Sequence, residues 1–280
     1  MKASKTARPR PRPQTKPTHE PTLVLPSIAW VGRSGWGGLP PLTDGAGANI
    51  WLLRGTEFDV LIDCGSESGN PLRLNRRLRA VGSARHRIGE IWLTHSHTDH
   101  SGGALRWQER YPRLRCRLAE IGCDFLQRGD LRLTGVAMDP HSRFIPPRRP
   151  IPVREGEVLL CPPWKLTVVA LPGHAPDCVG YRGEVDGWDV MFTGDAIIGD
   201  QGKVRGNVGW LDGLWLSDAP LYERMLAAAT RHPPEVMLPG HGVPHAGATV
   251  RRSLRNCLWR LKQVNAIPSA PSMFPFYRNT

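Results

Sequence analysis

The sequence predicts a fold of mixed α and β structure, on three observations. Short apolar runs such as Ile28–Val31, Asn49–Arg54 and Asp59–Ile62 are punctuated by Gly and Pro turns, the pattern of buried strands. Other segments repeat apolar residues at helical spacing, as in Leu72, Leu74, Leu78 and Val81. A two-half organisation follows, with strands and helices in one set and then again in another, and no shorter repeat. At 280 residues and 40% apolar content the chain can bury one sizeable core, and its length permits one or two domains.

Residues 1–21 are rich in Pro, Lys and Arg with almost nothing to bury, so a disordered or polyproline-like tail is expected there. The folded domain is expected over 22–265, opening with the strand Thr22–Leu25. The Gly-rich loop 32–47, which carries Trp36, either borders a substrate groove or is a plain hairpin connection. A helix over Pro71–Val81 leads to a strand at Ile88–Thr94. A helix at Ala104–Tyr111, a strand at Leu114–Leu118 and a helix at Glu120–Gln127 come next. Met138–Pro152 holds too many prolines for regular structure. Its His141, Arg143, Arg148 and Arg149 either overhang a site and hold an anionic substrate group or belong to an exposed connector. Strands are expected at Val158–Leu160, Leu166–Leu171, Val179–Gly183 and Trp188–Thr193. A Gly- and Trp-rich loop then reaches residue 216. A helix over Ser217–Thr230, with Ser217 as candidate N-cap, precedes the strand Glu235–Leu238 and the helix Val250–Val264. Residues 266–280 look like an irregular tail.

The formal charge is +12 and the pI about 10.0, which on its own invites a nucleic-acid or acidic-membrane partner. Lys2, Lys5, Arg8, Arg10, Arg12 and Lys16 stand against only Glu20 near the N-terminus, so much of the excess belongs to the tail. That argues against nucleic acid as the main partner and leaves the tail a loose attraction at most. Six cysteines (Cys64, Cys116, Cys123, Cys161, Cys178 and Cys257) show no CxxC pair and read as free thiols of a reducing compartment, the cytoplasm. No apolar run is long enough to span a membrane, and no apolar stretch follows the basic N-terminus as in a secretory signal. A small-molecule partner is expected.

The chemistry is concentrated in Thr94-His95-Ser96-His97-Thr98-Asp99-His100, straight after an apolar strand and ahead of Gly102-Gly103. Alternate residues of an extended segment point the same way, so His95 and His97 can bind one ion together, while Asp99 and His100 face a neighbouring position. Imidazole with carboxylate is a ligand set for zinc or iron rather than calcium.

This stretch resembles the metallo-β-lactamase superfamily, whose signature is His-x-His-x-Asp-His after a strand. Four further motifs stand in the family's order: Val60-Leu61-Ile62-Asp63-Cys64-Gly65, Leu171-Pro172-Gly173-His174, Phe192-Thr193-Gly194-Asp195 and Leu238-Pro239-Gly240-His241-Gly242. The resemblance implies an α+β fold, a four-layer αβ/βα sandwich of two mixed sheets packed face to face with helices outside. It also implies that His95, His97 and His174 hold one metal ion, that Asp99, His100 and His241 hold a second, and that Asp195 bridges them. Asp63 would stand behind the ligands in a supporting role. Two Zn²⁺ ions are implied, with Fe or Mn as alternatives. A water shared by the ions would become the nucleophile, and Asp99 would double as the catalytic proton relay.

Departures from particular branches narrow the reaction. Asp195 fills the bridging position, which is cysteine or serine in true class B β-lactamases. Ile198 stands where acyl-homoserine-lactone lactonases carry tyrosine. Only about forty residues follow His241, too few for the helical glutathione-binding domain of strict glyoxalase II enzymes. The Gly-His-Ala-Pro-Asp and Thr-Gly-Asp-Ala steps look most like the glyoxalase-II-like branch, which implies a metal-dependent hydrolase of a small thioester, ester or lactone. The alternatives are a phosphodiesterase or nuclease of the same superfamily and a mononuclear-iron oxidoreductase resembling persulfide dioxygenases.

Overall fold

The computed structural model describes residues 10–33, 39, 42, 47–66, 71–138 and 144–265. Trp36, His141, Arg143 and residues 266–280, singled out from the sequence, lie outside the described residues. Strands β1 (Thr22–Leu25), β2 (Ile28–Gly32), β3 (Ile50–Leu53), β4 (Asp59–Ile62), β5 (Ile88–Trp92), β6 (Arg115–Ala119) and β7 (Ile151–Val153) form one sheet in that order. Its first four strands meander antiparallel, and β4 through β7 run parallel. The second sheet has the order β13-β12-β11-β10-β9-β8, from β8 (Val158–Cys161), β9 (Trp164–Ala170), β10 (Val179–Val185), β11 (Trp188–Gly194), β12 (Val236–Pro239) and β13 (His245–Ala246). Only its β11–β12 pair is parallel.

Parallel neighbours need a crossover, and the crossovers supply the helices. Helices α1 (Pro71–Ala80) and α3 (Ala104–Arg110) cover the outer face of the first sheet, with the short α2 (Thr98–Ser101) before them and α4 (Glu120–Gln127) after β6. Helices α5 (Ala219–Arg231) and α6 (Ala248–Asn265) cover the second. Three apolar layers result. Trp30, Trp51 and Trp92 from one sheet meet Tyr181, Phe192 and Leu238 from the other. Leu74, Leu78 and Trp107 pack beneath the first sheet, and Tyr222, Leu226 and Leu254 beneath the second. This is the αβ/βα sandwich that the family resemblance implied.

Most predicted elements stand within a residue or two of their expected bounds; the exceptions have physical reasons. The strand β7 sits inside the proline-rich segment expected to be irregular. It is a three-residue strand at the sheet edge, where Pro152 need not donate to a ladder. Asp218, not Ser217, caps α5, its side chain accepting from Leu221 N. Ser217 Oγ is already committed to the carbonyl of His174. The described part of the basic tail, residues 10–21, is extended and lies against the sandwich. Arg10 stacks 4.0 Å above the Trp188 ring and pairs with Glu235, while Trp188 Nε1 donates to Pro11 O. Among the described residues no helix is long and apolar enough to cross a membrane.

Tyr222 ties the second sheet to its helices. Its buried hydroxyl lies within 3.0 Å of the carbonyls of Asp195 and Ala196 and accepts from Gly209 N. Tyr222→Phe removes three buried contacts, although Gly209 N still donates to Asp195 O, and a loss of about 1–3 kcal/mol is expected. Calorimetry should read this as a Tm lowered by roughly 2–4 °C per kcal/mol; an unchanged Tm would show that water replaces the hydroxyl.

Candidate metal centre

The turn after β5 begins the site, and Asp63 shapes it. This aspartate ends β4 in left-handed conformation (φ 58°), which Asp tolerates better than most residues. Its Oδ1 accepts from Thr94 N, while Oδ2 accepts from Thr94 Oγ and meets His100 Nδ1 at 2.8 Å. With Nδ1 so held, His100 presents Nε2 inward. The strand therefore stops at Trp92 rather than running to Thr94. The backbone beyond is held by side chains instead of a ladder: Ser101 Oγ donates to the carbonyls of Ser96 and His97, and Asp177 Oδ2 accepts from Ser96 N and Oγ.

The remaining residues arrive from the second sheet. His174 lies in the turn between β9 and β10, where its Nδ1 donates to Trp210 O at 2.5 Å and its Nε2 is left for the centre. Asp195 follows β11 and His241 follows β12; because those strands are parallel, both turns emerge at the same end. A side chain at Gly240 would put its Cβ 2.3 Å from Asp195 Oδ1, so only glycine permits this approach.

All seven residues expected from the sequence come together. Three trios place one ligand atom per residue within 4.8 Å of each other: His95 with His97 and His174, His95 with His100 and Asp195, and Asp99 with His100 and His241. His97 Nδ1 stands 3.1 Å from His174 Nε2. Asp195 turns its two oxygens to different neighbours, Oδ1 lying 3.2 Å from His100 Nε2 and Oδ2 lying 3.4 Å from His241 Nε2. His241 Nε2 also meets Asp99 Oδ2 at 3.0 Å.

The electrostatics divide the cluster. Burial, reinforced by neighbouring imidazoles, drives His95 well below the ordinary histidine range and His97 down to about 3; burial lowers His174 too. These three are neutral donors. Burial also opposes charge on His100 and His241, but the carboxylates of Asp195 and Asp99 outweigh it and raise both. For Asp99 and Asp195 burial works against ionisation, and the imidazoles of His100 and His241 overcome it, holding both carboxyls below their usual range. The ionised carboxylates and the neutral imidazoles of His95, His97 and His174 are donor forms that divalent cations require, and a cation beside His100 and His241 would take the place of their protons. Among the described residues the buried His95 Nε2 and His97 Nε2 have no hydrogen-bond partner, which a centre built only for internal hydrogen bonds would not leave. The residues fit a pair of divalent ions.

Several supporting residues carry no plain sequence signal. Asp177 lies three places beyond His174, fully buried, with burial pushing its carboxyl up to about 6 against the two hydrogen bonds from Ser96. Trp215 lies 4.8 Å from the His97 ring and roofs the cluster. Arg148 and Arg149 do not overhang the centre, correcting the first of their two sequence readings. They line a separate cleft at the starts of β6 and β7, to which none of the seven ligand residues contributes. Cys178 faces an apolar cluster with Met191 and Ala196, and burial raises its thiol well above the ordinary range.

Two face-to-face sheets, helices outside and a buried His/Asp cluster where strand ends converge define a metallo-hydrolase. Sequence comparison then gives the family: residues 43–241 match the Metallo-beta-lactamase superfamily, and this chain belongs to it. Among similar proteins is the acyl-coenzyme A thioesterase MBLAC2 of Gallus gallus, 30% identical over 216 residues, 69% of this chain and 72% of that protein. A hydroxyacylglutathione hydrolase of Bdellovibrio bacteriovorus is 30% identical over 112 residues, 40% of this chain and 36% of that one. A metallo-beta-lactamase family protein of Thermus thermophilus shares the fold with a TM-score of 0.63 at 24% identity, covering 85% of this chain and 80% of the other.

The supporting layer yields a test. Asp63→Ala removes the common acceptor of Thr94 and the His100 contact, leaving buried donors unpaired. A loss of about 2–5 kcal/mol is expected from three broken contacts, measured by urea unfolding. A midpoint equal to that of the unaltered chain would mean that Asp63 does not organise this turn.

Proposed function

We propose that this protein hydrolyses thioesters of small molecules, with His95, His97 and His174 holding one divalent cation, Asp99, His100 and His241 a second, and Asp195 reaching both. The observation that carries the reading is the convergence of these seven side chains on one buried cluster. The acyl-coenzyme A thioesterase name borne by relatives favours a thioester over an ester or lactone. Zinc is the proposed metal, and iron or manganese would suit the same donors. Cations held there would polarise the thioester carbonyl and acidify water.

The chain's own residues do the rest. Asp63 keeps the His100 ring from swinging out of the cluster. Trp210 and Ser217 fix His174 from its ring and its carbonyl. The side chain of Asp99 is 26% exposed, against 9% for Asp195 and less for the histidines, so Asp99 is the carboxylate that incoming substrate meets. We assign it the proton relay: an Asp99 oxygen takes the proton released as water attacks the carbonyl carbon. When the carbon–sulfur bond breaks, that proton passes to the departing thiolate, giving acid and thiol. Trp215 shields the side of the centre facing His97. Six free cysteines, five of them buried, support a reducing, cytoplasmic setting.

Substitution and metal removal test this. Asp99→Ala should lower kcat on an acyl thioester by roughly 10²–10⁴-fold. His174→Ala should lose bound metal, by plasma mass spectrometry, as well as turnover. Dialysis against a chelator should abolish turnover in the unaltered protein, with restoration by Zn²⁺. Turnover confined to phosphodiesters, or activity that returns only with iron and needs oxygen, would sink the thioesterase reading.

A further inference from the structure

The arginines that the metal centre does not use build a second site. A cleft of about 380 Å³ opens between the end of α3 and the starts of β6 and β7, lined by Gln108, Glu109, Arg113, Arg115, Arg148 and Arg149 among others. None of the seven ligand residues lines it. Arg115 pairs in register with Glu90, five residues before His95 on the parallel neighbour. At roughly 3.3 Å per residue the strand runs about 7 Å from Glu90 to its end at Trp92, and the ligand turn begins beyond that point.

Four arginines line this cleft against one carboxylate, Glu109. Two are partly engaged: Arg115 with Glu90 at 2.5 Å, and Arg148 with Glu109 at 3.5 Å. Arg113 and Arg149 have no ion pair or hydrogen bond among the described residues. Gathering like charges on opposite walls is unfavourable unless an anion or solvent compensates. The corner that presents two of them is held by a dedicated contact. Gln108 Oε1 accepts from Arg148 N at 2.7 Å, and Gln108 Nε2 donates to Arg148 O at 2.8 Å. Arg149 itself stands in left-handed conformation at φ 46°, a backbone state that a residue with a side chain adopts at a cost.

We propose that this cleft binds a small molecule bearing two or more phosphate groups, of the nucleoside diphosphate class. Guanidinium groups bind phosphate oxygens in paired, charge-assisted hydrogen bonds. One carboxylate would satisfy one guanidinium, whereas a diphosphate reaches both walls. The volume suits a small ligand. A nucleic-acid strand would need a continuous groove with stacking aromatics, and among the described residues the lining beyond the six named is Pro112, Leu114, Cys116 and Ile151.

The test uses the full, metal-loaded chain and ADP as probe, by titration calorimetry. One ADP per chain is expected. Arg113→Glu, and separately Arg149→Glu, should weaken it by roughly ten- to a hundredfold. Arg255→Glu, on the exposed side of α6, controls for net charge and should leave affinity unchanged, and hydrolytic turnover should survive in all three. The site is disproved by absence of saturable binding. It is equally disproved if Arg255→Glu weakens binding as much, or if ADP is retained by both cleft variants and competes with hydrolysable substrate, which would place it on the metal centre. Binding of a single-stranded oligonucleotide but not ADP would make the face a nucleic-acid surface instead. Circular dichroism on each variant separates loss of ligand from loss of fold.

Discussion

The carboxylate of Asp63 is the interaction on which the rest of the site depends. It lies at the end of a fully buried strand and receives the backbone amide and hydroxyl of Thr94 together with Nδ1 of His100. A buried carboxylate is costly unless its oxygens are occupied, and here the groups occupying them belong to the ligand-bearing turn. The free energy that satisfies Asp63 therefore also fixes the position of His95, His97 and His100. Asp177 repeats the device from the other sheet through Ser96. The ligand turn is gripped from both sheets.

Strand direction makes this convergence possible. Ligand turns follow β5, β11 and β12, and the parallel pairs β4–β5 and β11–β12 deliver their C-terminal ends to the same edge. Packing Trp30, Trp51 and Trp92 against Tyr181 and Phe192 then brings the two edges together. Neutral imidazoles at one position and carboxylate-linked imidazoles at the other follow from where each side chain falls relative to Asp99 and Asp195. Family membership and the donor set thus meet on metal-dependent hydrolysis. The arginine cleft, at the starts of β6 and β7, shares no lining residue with the metal centre.

Much of the fold was legible in the chain because its local signals agree. β1 and β4 and helix α4 stand at their predicted bounds, since apolar periodicity and Gly or Pro breaks coincide there. The strands β7 and β13 were not legible: each is only two or three residues long, and pairing with a neighbour, not local preference, makes it a strand. The same holds for the N-cap of α5. Ser217 and Asp218 are equally good caps by type, and the demand of His174 for a hydroxyl decides between them.

What the sequence determined by itself is the inventory: which side chains can bind a cation, in what order they come, and that strands deliver them to turns. The five motifs suffice because ligand type and spacing are local properties of the chain. Only the tertiary structure decided the protonation pattern, the layer of Asp177, Trp210 and Trp215 behind the ligands, and the distance of Arg148 and Arg149 from them. Burial, charge proximity and hydrogen-bond partnership arise between residues tens of positions apart, and no local pattern encodes a contact that two sheets create by meeting.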